Sequence, residues 1–489
     1  MNTLLQIILE KLKADPAKAI AEIRKQTKDT SNIEKYIKEY RDSERTQRIT
    51  QVDQIQKDKT LEGNKISRMV KIHMNHAQNI VETLATFTVG RSVTLKPSEE
   101  SNLSKLMKQV WRVNRMDSKI LDSTIKKMSE TQSAINFYIK DTGENSVLNR
   151  ILVSLKLKVQ AKEIKAKVLD NSSGTMTPYF DSFGDLILFM WQFATLEGSK
   201  TVNHTQIWDE TNMYYYSDTT GDVALVPENS KPHGFGKIPI VYDQQFEPEW
   251  YKVRTPVDRH EVALSKLGDS NDYSGHPILI TEGKVKNMPS KEESGKHFNI
   301  PIKKTKDGEV IKGDVRFLES KNAPESNKLE IDKLEDAIAY GSGVPNLSLE
   351  KLKSLGNVAE KTVKLMFLGT EIKAELKRTN SVHTFIERCI NVLISGIIKT
   401  TNTGLATESK SLYYDIHFNS ILPSDVSEKV NIITKAVQYG VMSKETGIGI
   451  IDLVDDVKTE MEKIASEKIE IPEEDPNNLD PNNLNPEED

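Results

Sequence analysis

Residues 327–345 read NKLEIDKLEDAIAYGSGVP, and the rest of the chain is parsed outward from them. Ile331, Leu334 and Ile338 recur at helical spacing and form one stripe, while Asp332 and Asp336 stand four residues apart on the opposite face. The run stops at Gly341-Ser342-Gly343-Val344-Pro345, where glycine and proline end a helix. Upstream lies a second charged helical stretch, Asp258–Leu267, separated from the first by a turn-rich insert with strand-like runs, His276–Leu318. Downstream, after a short lysine-bearing loop, a helical pattern runs from Asn357 to about Ile398. At a rise of 1.5 Å per residue it spans roughly 60 Å. Helices of that length are uncommon in compact monomers, so a helix–insert–helix unit feeding one points to a part of a larger assembly.

Composition agrees with this parsing. A length of 489 residues leaves room for about three domains. With 37% hydrophobic and 28% charged residues, the chain is lean for one globule. No apolar run approaches the ~18 residues that a membrane span needs, so no membrane is expected. Leu4-Leu5-Gln6-Ile7-Ile8-Leu9 has no preceding basic region and no small-residue cleavage site, and reads as an amphipathic helix rather than a signal peptide. The single cysteine, Cys389, excludes an intrachain disulfide and fits a reducing compartment.

The net charge of −5 is unevenly spread. Residues 472–489 hold seven acids and no base, which leaves the preceding chain near +2. A near-neutral body argues against a simple high-affinity nucleic-acid binder, whose affinity comes from many phosphate contacts. The tail repeats Asp-Pro-Asn-Asn-Leu at 475–479 and 480–484 and is expected to be disordered.

Periodicity predicts helices over 3–13 and 16–27, with Pro16 at the first position of the second. A polar helix over 31–59 (stripe Ile33, Tyr36, Ile37, Tyr40) is expected to need a partner surface outside its own fold. Ile66, Met69, Val70, Met74, Ala77, Ile80, Val81 and Leu84 predict a helix over 66–88 that ends at Gly90, and 103–130 is helical again. From Ile151 to Tyr242, alternating aromatic runs such as Leu186–Phe193 and Met213–Tyr216, separated by Gly, Asp and Asn turns, predict an antiparallel sheet. Leu412–Phe418 is a strand, Pro423-Ser424-Asp425 opens a helix ending near Tyr439-Gly440, Ser443 caps the next, and Asp452–Lys468 is the last. The fold class is α+β and helix-rich.

The motifs of catalysis are missing. Gly234-Phe235-Gly236-Lys237 lacks the spacing and following hydroxyl of a phosphate loop. His260-Glu261-Val262-Ala263 begins like a zinc-protease helix, but Leu264 stands where the second histidine belongs, so a polar helix face is expected. His73 and His76 lack a third ligand nearby. Asp269–Gly275 resembles a calcium loop only loosely and is better explained as a helix-ending turn. Cys389 is in register with Phe385, Leu393 and Ile397, which predicts core packing. No catalytic residue, metal or cofactor is expected.

The order of features resembles the portal (head–tail connector) proteins of tailed double-stranded-DNA bacteriophages. His73–Val93, with Asn75, Asn79 and Gly90, resembles the family's N-terminal helix. Phe235-Gly236-Lys237-Ile238-Pro239-Ile240-Val241 resembles the strand before its stem. Val257–Leu267, with Asp258 and Ser265, resembles the first stem helix, followed by Pro277-Ile278-Leu279. Gly313-Asp314-Val315-Arg316-Phe317-Leu318 resembles the strand leaving the clip. Ser342-Gly343-Val344-Pro345 and Ala359-Glu360-Lys361 resemble the tunnel loop and the start of the long wing helix. Ile416–Phe418, Pro423, Gly440–Thr446 and Asp455–Glu460 resemble the C-terminal region. The resemblance covers about residues 66–467.

It implies N-terminal helices at 1–65 and a wing at 66–255. Stem helices at 256–275 and 326–345 flank a clip at 276–325. A tunnel loop follows at 346–358, then a long wing helix and strand at 359–422, crown helices at 423–471 and the acidic tail at 472–489. It further implies a structural, non-enzymatic ring, usually a dodecamer, at one capsid vertex of the virion, assembled in the host cytoplasm. Double-stranded DNA would pass through it, and the large terminase subunit, a head–tail adaptor, and the major capsid and scaffolding proteins would be its partners. Repeated around such a ring, Asp332 and Asp336 would form an acidic belt that repels phosphates and lets DNA slide. Lys351 and Lys353 of the tunnel loop would touch DNA, and Lys303, Lys304 and Lys306 would make the clip a docking surface. The competing expectations are a nucleic-acid-processing enzyme, which would show ATPase or nuclease activity, and another capsid-associated scaffold or adaptor.

Overall fold

A computed structural model describes residues 3–26, 32–41, 59–60, 66–67, 70–141, 153–154, 162–274, 278–282, 303–304, 306, 310–311, 314–318, 324–346, 364–400, 403–422, 426–451 and 457–466. Contacts divide the chain into two units, residues 1–357 with 365–421, and residues 358–364 with 422–489.

In the first unit, helices α1 (Thr3–Ala14) and α2 (Pro16–Gln26) form a hairpin, with Pro16 opening α2 as expected. Leu5, Ile8, Leu12, Ile20 and Ile23 close its apolar side, so Leu5 and Ile8 of the N-terminal apolar run lie on the buried face of an amphipathic helix while Leu4 and Ile7 are exposed. Of the polar helix expected over 31–59, residues 42–58 lie outside the described residues. Helix α3 covers Ile33–Tyr40, and Lys59–Thr60 is instead a strand (β1) paired with Ile66–Ser67 (β2). The partner of α3 lies within this fold: Tyr40 stacks on Trp250 at 5.8 Å, and buried Glu39 accepts the Trp250 indole N–H at 3.3 Å.

The helix expected over 66–88 begins only at His76 (α4, His76–Val89), where Asn75 caps it by accepting the Gln78 N–H. Residues 70–75 form a strap. Val70, Ile72 and Met74 follow a two-residue period there, which the helical spacing of Val70, Met74 and Ala77 had masked. Strand β3 (Thr94–Pro97) leads to α5 (Asn102–Val113) and α6 (Met116–Glu130), two helices where one was expected. The break is at Arg115, whose φ of 50° is left-handed, and at buried Asn114. The Asn114 amide donates to the carbonyls of Val110 and Ile164 and accepts the Ala166 N–H, each at 2.9 Å.

Three strands unmarked in the sequence follow: β4 (Gln132–Asp141), β5 (Lys162–Val168) and β6 (Gly174–Phe180). Then come β7 (Leu186–Glu197), β8 (Lys200–Trp208), β9 (Asn212–Ser217), β10 (Ala224–Leu225), β11 (Lys231–Pro232) and β12 (Ile240–Gln244). One antiparallel sheet has the order β10-β9-β8-β7-β6, with β11 beside β9, and a second has the order β12-β4-β5. Period-two alternation splits β7 between two cores. Leu188 and Met190 face α1 and α2, while Phe189 and Trp191 pack with Trp208, Ala134, Ile240 and Tyr242 of the other side.

Helix α7 (Arg254–Ser274) runs to Ser274, so Asp269 lies inside the helix and not in a terminal turn. The insert supplies an antiparallel pair, β13 (Ile278–Glu282) with β16 (Asp314–Leu318), and a smaller one, β14 (Lys303–Lys304) with β15 (Val310–Ile311). Helix α8 (Pro324–Ser342) ends at Gly343, whose φ of 71° is the left-handed stop anticipated there. Helices α9 (Leu368–Lys377) and α10 (His383–Thr400) are joined without interruption by a π-helical turn, Arg378–Val382. The first residues of the long helical pattern, before Lys364, lie outside the described residues. Contrary to the absence expected, one helix, Leu368–Thr400, is long and apolar enough by length and composition to cross a membrane. Phe385, Ile386, Cys389, Ile390, Leu393 and Ile397 of its second half are core residues, which accounts for its apolar composition and places Cys389 as expected. Strand β17 (Tyr414–His417) pairs with β3.

In the second unit, α11 (Val426–Gln438), α12 (Lys444–Ile451) and α13 (Val457–Ser466) follow the predicted order. Gly440 is left-handed, and Ser443 caps α12 by accepting the Thr446 N–H at 3.1 Å. Leu453 and the acidic tail lie outside the described residues.

Candidate functional site

Helices α7 and α8 are antiparallel partners, joined by Arg259 to Glu330 at 2.5 Å and by close packing of Gly341 on Val253, the last residue of the 3-10 turn that leads into α7. At the root of this pair the strap lies along α7. Three alternate backbone N–H groups donate to three side chains spaced four residues apart: Val70 to Asp269 at 2.8 Å, Ile72 to Ser265 at 2.9 Å and Met74 to Glu261 at 3.1 Å. Helical residues four apart share a face, so one side of α7 offers a ladder of acceptors. Ser265 also donates to the Ile72 carbonyl at 3.3 Å. A Cβ on Gly268 would stand 3.0 Å from Val70 Cγ1, so any larger residue there would press on the strap.

The ladder continues into α4. His76 Nε2 lies 3.2 Å from His260 Nδ1, and His260 Nε2 lies 3.7 Å from Glu335 Oε1 on α8. His260 and Glu261 are 1% and 2% exposed, so these residues are a buried junction and not the polar helix face expected. The strap covers that face. Burial holds the His260 imidazole below its usual range, and the carboxylates of Glu335 and Glu261 only partly oppose this. Beside the pair lies a cavity of about 410 Å³, whose lining includes apolar Met74, Ile80, Ile338, Val344 and Phe367 and polar Glu335 and Asn346.

Helix α9 clamps two other helices by their C-termini. Lys373 Nζ donates to the carbonyls of Gly341 at 3.0 Å and Ser342 at 2.5 Å, and Thr370 donates to the Gly343 carbonyl at 2.7 Å. Arg378, 4% exposed, donates to the carbonyls of Thr88 and Phe87 at the end of α4. Its third nitrogen reaches Glu371 and Glu375, each at 3.0 Å. A cation at a helix C-terminus satisfies orphan carbonyls and complements the negative end of the dipole. Burial lowers the Lys373 ammonium from its usual value. On the opposite face of this segment Leu365, Leu368, Ile372 and Leu376 are exposed at intervals of three and four.

Asp332 and Asp336 are exposed on α8, opposite buried Ile338, and Lys333 reaches Asp336 at 3.7 Å. Lys303 and Lys304 form β14 and Lys306 is an exposed turn residue. Lys351 and Lys353 lie outside the described residues, as does the tunnel-loop range beyond Asn346. His73 and His76 do not act together, because His76 turns to His260. Among the described residues no cluster of three potential metal ligands exists. Burial pushes the Cys389 thiol far up, away from reactivity. Sequence reasoning missed Lys373, Arg378 and the Glu261–Ser265–Asp269 ladder. The ladder had a readable signal, three acceptors at four-residue spacing, whereas the clamp had none.

A family model described as phage portal protein, SPP1 Gp6-like, matches residues 21–474. A portal protein of Bacillus phage SPP1 is 21% identical over 320 residues, covering 62% of this chain, and the chain spans 61% of that relative's length. Two solved structures described as necks of gene transfer agent (GTA) particles share 11% identity. For the native particle, determined with C12 symmetry, coverage is 78% of this chain and 91% of that one, with a TM-score of 0.39. For the empty particle, determined with C6 symmetry, it is 78% and 89%, with a TM-score of 0.40.

Proposed function

Because the chain belongs to the SPP1 Gp6-like phage portal proteins, a structural family, we propose that copies of it close into a ring, usually of twelve, through which double-stranded DNA enters and leaves a capsid. The family match over residues 21–474 carries this proposal. The exposed stripe Leu365, Leu368, Ile372 and Leu376 supports it physically, since an apolar helix face in so charged a chain is expected to be covered by another copy.

In this ring α7 and α8 are the stem, residues 276–325 the clip, 66–255 with 359–422 the wing, 346–358 the tunnel loop and 423–471 the crown. The ring is assembled in the host cytoplasm and built into one vertex of the virion, against the major capsid and scaffolding proteins. Asp332 and Asp336, both exposed on α8, face the channel, where a repeated acidic belt keeps phosphates from sticking. The clip, with Lys303, Lys304 and Lys306, takes the terminase large subunit during packaging and a head–tail adaptor afterwards. Lys351 and Lys353 present one or two cations per subunit to DNA, few enough for a reversible grip.

Negative-stain images and native mass spectrometry of the purified chain are expected to show an annulus. Monomer or dimer alone, also with capsid partners present, overturns the ring. Replacing Lys351 and Lys353 together with alanine is expected to change packaged DNA length or retention while leaving the annulus intact. Unchanged packaging removes these two lysines from the DNA path.

A further inference from the structure

Three elements converge on one chain of titratable groups: His76 opens α4, His260 sits on α7 and Glu335 sits on α8. We propose that this chain is a proton-operated latch, which holds the strap and α4 against the α7–α8 pair while both imidazoles are neutral and releases them in acid. The inference goes beyond the channel role and does not depend on it.

Geometry fixes the proton positions. Two neutral imidazoles 3.2 Å apart need one N–H and one lone pair between them. If His260 donated from Nδ1, its bare Nε2 would confront the Glu335 carboxylate at 3.7 Å, lone pair against anion. The favourable tautomer has His76 Nε2–H donating to His260 Nδ1, which places the His260 Nε2–H toward Glu335. That Nε2 is buried and, among the described residues, has no partner at hydrogen-bond distance. The latch is therefore one step short of closure on the α8 side, and His76, His260 and Glu335 all line the cavity of about 410 Å³.

A proton added to His260 Nδ1 turns that atom into a donor and forces His76 into its other tautomer to accept from it. Protons on both rings leave no lone pair between them, and two cations repel in a buried place. The charged groups acting on the His260 ring are Glu335 of α8 and Glu261 of α7, while α4 contributes the titratable His76 and the segment after α8 contributes neutral Asn346. Both carboxylates favour the charged ring, but burial outweighs them. The sign follows: a histidine held below its ordinary 6.5 stabilises the closed form fully above that pH and loses the contribution as pH falls beneath it.

The test is hydrogen exchange followed by mass spectrometry on the full chain, from about pH 7.5 to about pH 5.5, across the titration range of histidine. Rates in peptides of 70–89 and 254–268 are normalised to peptides of β6–β9 from the same sample. The wild type is expected to open these segments selectively in acid, by up to about tenfold per pH unit, the limit for one coupled proton. Glu335→Gln removes a carboxylate that favours the charged ring and is expected to move the transition to lower pH. His260→Gln is expected to flatten the pH profile, whatever its basal rate. A profile that parallels the sheet, one in which acid tightens the joint, or one unchanged in His260→Gln overturns the latch. Ring formation and DNA passage are read separately by imaging and packaging, so failure of the latch leaves those proposals untouched.

Discussion

Replacing Arg378 with methionine is expected to cost about 3–5 kcal/mol of folding stability, the range for removing one member of a buried charged network. The guanidinium serves four acceptors at once: the carbonyls of Phe87 and Thr88 and the carboxylates of Glu371 and Glu375. It also lies 5.6 Å over the Phe418 ring. Methionine fills much of the volume but leaves two helix-terminal carbonyls buried without donors, at about 1–3 kcal/mol each. Glu375 is well exposed and returns to water at little expense. Arg378→Lys keeps the charge yet loses the planar fork, so an intermediate loss is expected. Denaturant unfolding of the purified chain, followed by tryptophan fluorescence, measures all three proteins. A methionine variant within 1 kcal/mol of wild type, to the order of a surface change, shows that the clamp does not hold α4.

The second large effect belongs to the uncovered side of the same helix. Leu368→Asp combined with Ile372→Asp is expected to abolish the ring while changing the stability of the single chain by under about 1 kcal/mol, because both side chains are more than half exposed. If this face is covered by another copy, two desolvated carboxylates per interface, repeated around a ring, prevent closure. Sedimentation velocity distinguishes ring from monomer directly. A variant ring of wild-type size assigns the stripe to some other role and leaves ring formation itself standing.

The two halves of this helix were not equally legible in the sequence. Phe385, Cys389, Leu393 and Ile397 keep one stripe, and the structure buries it as that periodicity requires. The π-helical turn at Arg378–Val382 carries no local mark, since its residues would sit as well in an ordinary helix. Strand β6 hid for another reason. It carries Gly174 and Pro178, which read as breakers, but it is the edge of its sheet, where a missing N–H is tolerated. Strand β4 is central in its own sheet, and Ser133, Ala134, Ile135 and Phe137 are all buried, so it lacks the alternation of a half-buried strand. The α7–α8 pair and its strand-bearing insert were legible because periods change sharply at their borders. The junction between them was not, because long-range partners such as His76 and His260 are 184 residues apart.

The ladder between strap and helix has an arithmetic of its own. Two extended residues advance about 6.6 Å, whereas four helical residues advance about 6.0 Å. The two rulers drift apart by about 0.6 Å per rung, so three rungs can be matched and a long series cannot. This vernier explains why the strap gives way to helix at His76, just after its third rung at Met74. It also makes a shifted pairing conceivable, because moving the strap by one rung would again bring donors opposite acceptors. The notch at Gly268 resists the slide: Val70 Cγ1 is seated 3.0 Å, and Ile72 Cδ1 3.7 Å, from where a Cβ on that glycine would be. The joint therefore has one seated setting and, when it lets go, must lift off and not creep.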